Sequence, residues 1–287
     1  MSELRLPVFM SCDASMEDAE IIIFGAGFDG TATYRPGSRF GPVAMRSEFY
    51  SLETYSPALD RDLSDIAVRD GGDLELPFGN TDMALEMIRN TAADIVNAGK
   101  KPFMIGGEHL VTLPAFSPVF EKYPDLCLVH LDAHTDLREE YLGEHLSHSG
   151  VIRRIWEIVG DGHIWQMGIR SGMKQEFEWA AQGHTTLHRF DLSRAQEVAE
   201  ALSGKPVYLS IDLDVLDPSV IPGTGTPEPG GVSFRELQEA ICFFRELNIV
   251  AADVVELAPG LDASGVSTVM ACKVMREVLL LMGRSNI

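Results

Sequence analysis

The sequence predicts an α/β protein built on a central, mostly parallel sheet of about eight strands. Three observations predict it. Short apolar runs alternate with stretches of helical periodicity along the chain, the pattern of a parallel sheet covered on both faces. No composition shift or flexible linker divides the 287 residues, so one domain spanning 1–287 is expected. The acidic and histidine-bearing motifs directly follow apolar runs, at the carboxyl ends of strands where sites in such folds gather. An eight-fold barrel and an open three-layer sheet both fit this alternation.

The elements follow in order. Glu20–Gly25 (EIIIFG) is a short apolar run closed by glycine, as expected of a buried strand. Asp29–Phe40 is rich in Gly, Thr, Arg and Pro and reads as a long loop. Gly41–Ser51 reads as a helix, with Pro42 tolerated in its first turn. Asp65–Arg69 is a second strand candidate. Asn80–Ala98 has helical spacing, with Asn80 as its cap. Pro102–Ile105 is a third strand, running into Gly106-Gly107-Glu108-His109, and a helix over Thr112–Lys122 leads to the strand that starts at Leu126. Helices near Gly150–Val159, Met173–Gln182 and Ser193–Leu202 then alternate with strands at His163–Ile169, Thr186–Phe190 and Pro206–Asp212. Ser233–Leu247 opens with a capping box, Ser233 and Glu236. Ile249–Val255 is the last strand and Ser264–Met282 the last helix.

Composition narrows the function. Hydrophobic residues make up 45%, enough for a sizeable core. Lys plus Arg number 23 against 43 Asp plus Glu, a formal net charge of −20. That charge argues against nucleic acid or an anionic membrane as partner, and it suits a cationic small molecule. Cys12, Cys127, Cys242 and Cys272 form no CxxC pair, so free thiols in a reducing compartment are expected. Met1–Asp13 lacks the apolar core of a signal peptide. No uncharged apolar run approaches the roughly 20 residues of a membrane span. A cytoplasmic protein is expected.

Two motifs carry the chemistry. Leu126–Asp136 reads LCLVHLDAHTD. Alternate side chains of a strand share a face, so Asp132, His134 and Asp136 point one way if the strand persists. Ser210–Gly231 reads SIDLDVLDPSVIPGTGTPEPGG, where Asp212 and Asp214 have the same parity. With His109 after its glycine pair, six candidate ligands result. Carboxylate oxygen mixed with imidazole nitrogen suits divalent first-row metals, and six ligands suit two ions that share carboxylates.

The chain resembles the ureohydrolases, the arginase and agmatinase family, and the agmatinase branch most. GGEH at 106–109, DAHTD at 132–136 and the long motif at 210–231 resemble the family signatures, and FDGTATYRPGSRFGP at 28–42 resembles the amino-terminal segment of that branch. The resemblance covers nearly the whole chain from about residue 20. It implies the open three-layer α/β/α fold rather than the barrel. It also implies two manganese ions per subunit, one held by His109, Asp132, Asp136 and Asp212, the other by Asp132, His134, Asp212 and Asp214. Asp132 and Asp212 would bridge, and a hydroxide held between the ions would attack the guanidinium carbon. His148 matches the general acid for the leaving amine, and Glu256 in DVVELAP matches the guanidinium-binding carboxylate. The implied reaction is hydrolysis of agmatine to putrescine and urea by a homo-oligomer, a trimer or hexamer.

Other residues receive lesser roles. His130 shares parity with Asp132 and is expected to be packed or hydrogen-bonded near it. Asp253 differs in parity from Glu256 and is left out of the site. Ser233, Glu108 and Thr135 are expected to be scaffold. Departures from the family pattern, His148-Ser149-Gly150 and Leu261-Asp262-Ala263, lie where a substrate tail or a neighbouring subunit would be felt. The acids of the loop Leu137–Leu146, namely Glu139, Glu140 and Glu144, could attract an ammonium or form a solvated charge cluster. Guanidinobutyrate, arginine and formiminoglutamate are the competing substrates. A metal-bound guanidine or polyamine sensor is the non-enzyme alternative. A two-metal phosphoesterase would need a basic constellation beside the metal motifs, and the sequence shows none there.

Overall fold

Eight of the strands form one continuous parallel sheet whose inner strands are apolar and buried on both faces. The computed structural model describes residues 8–77 and 79–283; the part of the amino-terminal reading that covers 1–7 lies outside them. The strands are β1 (Ile21–Ala26), β2 (Tyr55–Ser56), β3 (Arg61–Asp62), β4 (Val68–Asp73), β5 (Lys101–Gly106), β6 (Cys127–Leu131), β7 (Ile164–Ile169), β8 (Thr186–Arg189), β9 (Pro206–Asp212) and β10 (Asn248–Val255). The helices are α1 (Gly41–Phe49), α2 (Thr81–Asn97), α3 (Thr112–Lys122), α4 (Val151–Val159), α5 (Lys174–Trp179), α6 (Ala195–Ala201), α7 (Phe234–Phe243) and α8 (Val266–Met282). The large sheet runs β4-β1-β5-β10-β9-β6-β7-β8, and β2 pairs with β3 in a separate short hairpin.

Strand parity divides the core in two. Ile21 and Ile23 of β1 pack with residues of α1, α6, α7 and α8, whereas Ile22 and Phe24 pack with residues of α2, α3 and α4. Both faces are therefore buried, giving three layers, and the open sheet rather than the barrel is the architecture. Asn80 caps α2 by accepting from the Met83 amide at 3.0 Å, and Ser233 with Glu236 closes the capping box of α7.

Boundaries moved where local conformation intervened. The second strand lies at Val68–Asp73 rather than 65–69, after a tight turn at Leu63–Asp65 that Asp62 caps through the Ser64 amide. The helix expected to Gln182 stops at Trp179 and closes in a wider turn, Ala180–His184, where Gly183 takes φ 99°. The β2–β3 hairpin was not anticipated, since two-residue strands carry no readable period.

Strand order is what positions the site. In the sheet β5, β10, β9 and β6 are neighbours, and their carboxyl ends deliver His109, Glu256, Asp212 and Asp132 respectively. The chain leaves β5 through α3 and returns as β6, three positions along the sheet, with β10 and β9 in between. Such a switch in direction opens a crevice at the strand ends. Gly107 is required there: a Cβ on it would fall 1.8 Å from the Phe28 carbonyl oxygen. That close approach fastens the loop after β1 over the start of the β5 loop.

Candidate metal centre

The site is two layers deep. The lower layer is a cross-strand row in which His130 of β6 pairs with Ser210 of β9, and Ser210 with Asp253 of β10. All three are fully buried. Asp132 and Asp212 come two residues later, on the same side of the sheet, and form the upper layer. Asp253 therefore has the parity of the site, and its exclusion on parity is corrected here. The Ser210 hydroxyl donates to Asp253 Oδ1 at 2.7 Å, so its oxygen accepts from His109 Nε2 at 3.0 Å. The Tyr208 hydroxyl holds the other Asp253 oxygen at 2.7 Å. This chain fixes the His109 tautomer and turns the Nδ1 lone pair into the site.

His130 is fixed in the same way. Gln166 donates one amide hydrogen to the Thr135 carbonyl at 2.8 Å and the other to His130 Nδ1 at 3.1 Å. Nδ1 is thus an acceptor, Nε2 carries the proton, and it donates to Asp132 Oδ2 at 2.8 Å. His130 positions Asp132 and has no lone pair to offer an ion.

In the upper layer His109 Nδ1 lies 3.0 Å from Asp132 Oδ2, 3.2 Å from Asp212 Oδ2 and 3.3 Å from Asp136 Oδ2. His134 Nδ1 lies 2.9 Å from Asp214 Oδ2 and 3.4 Å from Asp132 Oδ1. Asp132 thus presents one oxygen to each histidine. Asp212 gives Oδ2 to the His109 side, while its Oδ1 accepts the Asp214 amide at 2.8 Å. The six candidate ligands therefore meet in two adjoining groups that share Asp132.

They do not meet by strand parity. β6 ends at Leu131 and β9 at Asp212. Asp214 sits in a tight turn, Leu213–Val215, and Asp136 has φ 49°. Glu256 also bends back with φ 66°. Left-handed backbone at non-glycine residues costs roughly 1 kcal/mol or more each, and such strain clusters at functional sites. The Glu256 amide donates to the Gly107 carbonyl at 2.8 Å, and its Oε1 accepts from the His109 amide at 2.9 Å.

The donor chemistry fits divalent cations. His109 Nδ1 and Asp214 Oδ2 are buried, and their close polar contacts are to other candidate ligands. Lone pairs and carboxylates converge here, an arrangement that repels itself unless positive charge lies among them. Burial, with repulsion from Asp214 and Asp132, pushes the Asp212 carboxyl well above the usual carboxylate range. Burial alone would lower His109 and His134, yet their facing carboxylates outweigh it and hold both well above the usual histidine value.

His148 opens a short turn at the edge of the cleft, and burial lowers its pKa. Glu108, Thr135 and Ser233 serve as scaffold: Glu108 accepts from the Thr31 amide and hydroxyl, Thr135 donates to Glu176 at 2.9 Å, and Ser233 caps α7.

The cleft above the cluster holds about 460 Å³ and is also lined by Arg35, Arg138, Tyr141 and Glu228. The lining bears on three expectations. Glu139, Glu140 and Glu144 are exposed and do not line the cleft; their loop contributes Arg138 and Tyr141 instead. Asp262 accepts from Ser264 and Ser267 at the start of α8 and does not line the cleft. Two arginines do stand beside the metal motifs, but Arg138 stacks on the Tyr141 ring at 4.2 Å and Arg35 donates to the Thr224 carbonyl.

Comparison with known proteins agrees with this geometry. Residues 19–281 match the profile of the arginase family. An agmatinase of Bacillus anthracis is 48% identical over 276 residues, 95% of each chain. A crystal structure from Clostridium difficile shares 54% identity, covers 94% of this chain and 99% of its own, and gives a TM-score of 0.92. The agmatine ureohydrolase of Thermoplasma volcanium is 30% identical, with coverage of 97% and 95% and a TM-score of 0.88. Among the described residues no helix is long and apolar enough to cross a membrane.

Proposed function

The chain belongs to the arginase family, and from that premise we propose that it is a hydrolase of guanidines that converts agmatine and water to putrescine and urea. One observation carries the reading: a single cleft is lined by His109, His134, Asp136 and Asp212 of the cluster together with Glu256. The 48% identity to an agmatinase over 95% of each chain supports the choice of agmatine.

His109, Asp132, Asp136 and Asp212 would hold one ion, and Asp132, His134, Asp212 and Asp214 the second. The sharing of Asp132 supports this division; the bridging role of Asp212 rests on family resemblance. Two bound divalent ions supply the charge that makes water a nucleophile near neutral pH. Manganese is proposed from the family resemblance; the mixed oxygen and nitrogen donors suit a divalent first-row ion such as manganese or zinc.

The protein's own groups perform the remaining steps. Glu256, held through Oε1 by the His109 amide, accepts N–H groups of the guanidinium and fixes its plane. His148 protonates the amine as the carbon–nitrogen bond breaks, so that putrescine leaves neutral at that nitrogen and urea remains. One domain over 1–287, a trimeric or hexameric assembly and a cytoplasmic location complete the proposal. The assembly rests on family resemblance, and the location on free cysteines, three of them buried.

Arg35 and Arg138 in the cleft favour a second reading, a guanidine with a carboxylate tail such as guanidinobutyrate. The manganese-loaded protein offered agmatine, guanidinobutyrate, arginine and formiminoglutamate decides between them. Urea from agmatine at the highest kcat/KM supports the proposal. No urea from agmatine overturns it, and tight binding without turnover of any compound would make the protein a sensor.

A further inference from the structure

One carboxylate in the cleft serves neither the metal cluster nor the guanidinium. Glu228 lies between Pro227 and Pro229. The two rings fix their own φ angles, and a residue before proline is held extended. Arg170 tightens this further, donating to the Glu228 carbonyl from Nε at 3.3 Å and from Nη2 at 2.9 Å. The Ser171 hydroxyl donates to Glu228 Oε1 at 2.8 Å. The side chain is thus held in place while 37% of it stays exposed to solvent, and the residue lines the cleft.

Its position relative to the cluster follows from His134. That ring turns Nδ1 to Asp214 and Asp132, and its Nε2 lies 3.9 Å from Glu228 Oε1, beyond hydrogen-bond reach. Glu228 therefore stands one imidazole ring outward from the cluster, where the non-reacting end of a guanidine would extend. Among the described residues neither cleft arginine forms an ion pair with it: Arg138 stacks on Tyr141, and Arg35 donates to the Thr224 carbonyl.

We propose that Glu228 determines substrate specificity by accepting the terminal ammonium of an amine-tailed guanidine, which rests on the guanidine-hydrolase reading above. A fixed carboxylate with one oxygen, Oε2, not taken by Ser171 makes a charge-assisted hydrogen bond to an ammonium and repels a carboxylate tail. Its preorganisation spares the ordering that a free glutamate would require.

The test compares wild type with Glu228→Gln, a change of charge at constant shape, on three guanidines: agmatine, butylguanidine with an uncharged tail, and guanidinobutyrate. KM for agmatine is expected to rise about tenfold, the modest effect of a partly exposed charged pair. Values for butylguanidine should stay within about twofold, the size expected of a change to a solvent-open group, and guanidinobutyrate should improve. Bound metal per protomer, measured by elemental analysis, should not change. An equal loss for agmatine and butylguanidine, or a loss of metal, would give Glu228 a positioning role through His134 and overturn the assignment. An unchanged KM for agmatine overturns it alone, whereas failure of the wild type to release urea from agmatine overturns the functional reading and the assignment together.

Discussion

The hydroxyl of Thr31 lies 3.3 Å from Nδ1 of His148 and accepts that residue's backbone N–H at 3.1 Å. The same hydroxyl donates to Glu108 Oε1 at 2.5 Å. Burial raises Glu108 to about 7, so above that pH the carboxylate can only accept. Thr31 must then give its one hydrogen to Glu108 and accept from His148 Nδ1. That leaves Nε2 as the histidine atom free to exchange a proton. Thr31→Val removes the acceptor, and kcat is expected to fall about tenfold, a fraction of the roughly 10²–10⁴-fold that general acid catalysis supplies. Thr31→Ser should restore it with metal content unchanged. Equal kcat in wild type and Thr31→Val would remove this role from Thr31.

Asp132 and Ser210 should separate ligand loss from ligand positioning. Asp132→Ala removes the carboxylate that faces both histidines, so activity and the paired occupancy should vanish together. Ser210→Ala leaves every donor atom of the cluster in place but cuts the link between Asp253 and His109. Metal affinity should then drop by about 10–100-fold, and excess metal should recover activity. Competition titration against a chelator measures both. A variant Asp132→Ala that keeps two ions and full activity contradicts the proposed sharing.

Metal affinity should weaken as pH falls. The carboxylates around His109 and His134 hold both well above their usual value in the metal-free protein, so binding must expel protons from them. Affinity should lose roughly tenfold per pH unit for each proton displaced. In the metal-free protein the sign is opposite. The raised histidine pKa values favour folding below the ordinary value near 6.5, and that contribution fades as pH rises through the raised ones. Calorimetry in buffers of different ionisation heat gives the proton count. A pH-independent affinity between about pH 6 and 9 would count against these histidines as ligands.

Gly107→Ala should destabilise the protein by about 3 kcal/mol, because the new methyl would overlap the Phe28 carbonyl. Thermal unfolding should show a melting temperature lower by roughly 5–10 °C. Gly260→Ala, where a Cβ meets open space, serves as the control and should leave it unchanged. Since the Phe28 carbonyl also accepts the Glu108 amide at 2.7 Å, the displaced loop would carry Thr31 away from His148.

Much of the fold was legible in the chain. Continuous apolar runs such as EIIIFG marked strands buried on both sides, and the cap residues Asn80 and Ser233 marked helix starts where the structure has them. The candidate ligands were legible as acids and histidines at strand ends. Asp253 was missed because a period-2 count was carried through Glu256, whose left-handed backbone breaks the count. Arg138 and Tyr141 were missed because the acids of the same loop drew attention by charge, and no local pattern tells which side chains of an irregular loop turn inward.

By itself the sequence determined most of the strand and helix segments, though not the two-residue strands β2 and β3, and which residue types stand at the strand ends, since both follow from spacing within an element. Only the tertiary structure decided that β5, β10, β9 and β6 lie side by side. It alone brought Asp132 between His109 and His134, and Glu228 into the cleft with Glu256. The physical reason is that these contacts join residues far apart in the chain, and their geometry is set by sheet order, buried packing and a few strained backbone angles that leave no period in the sequence.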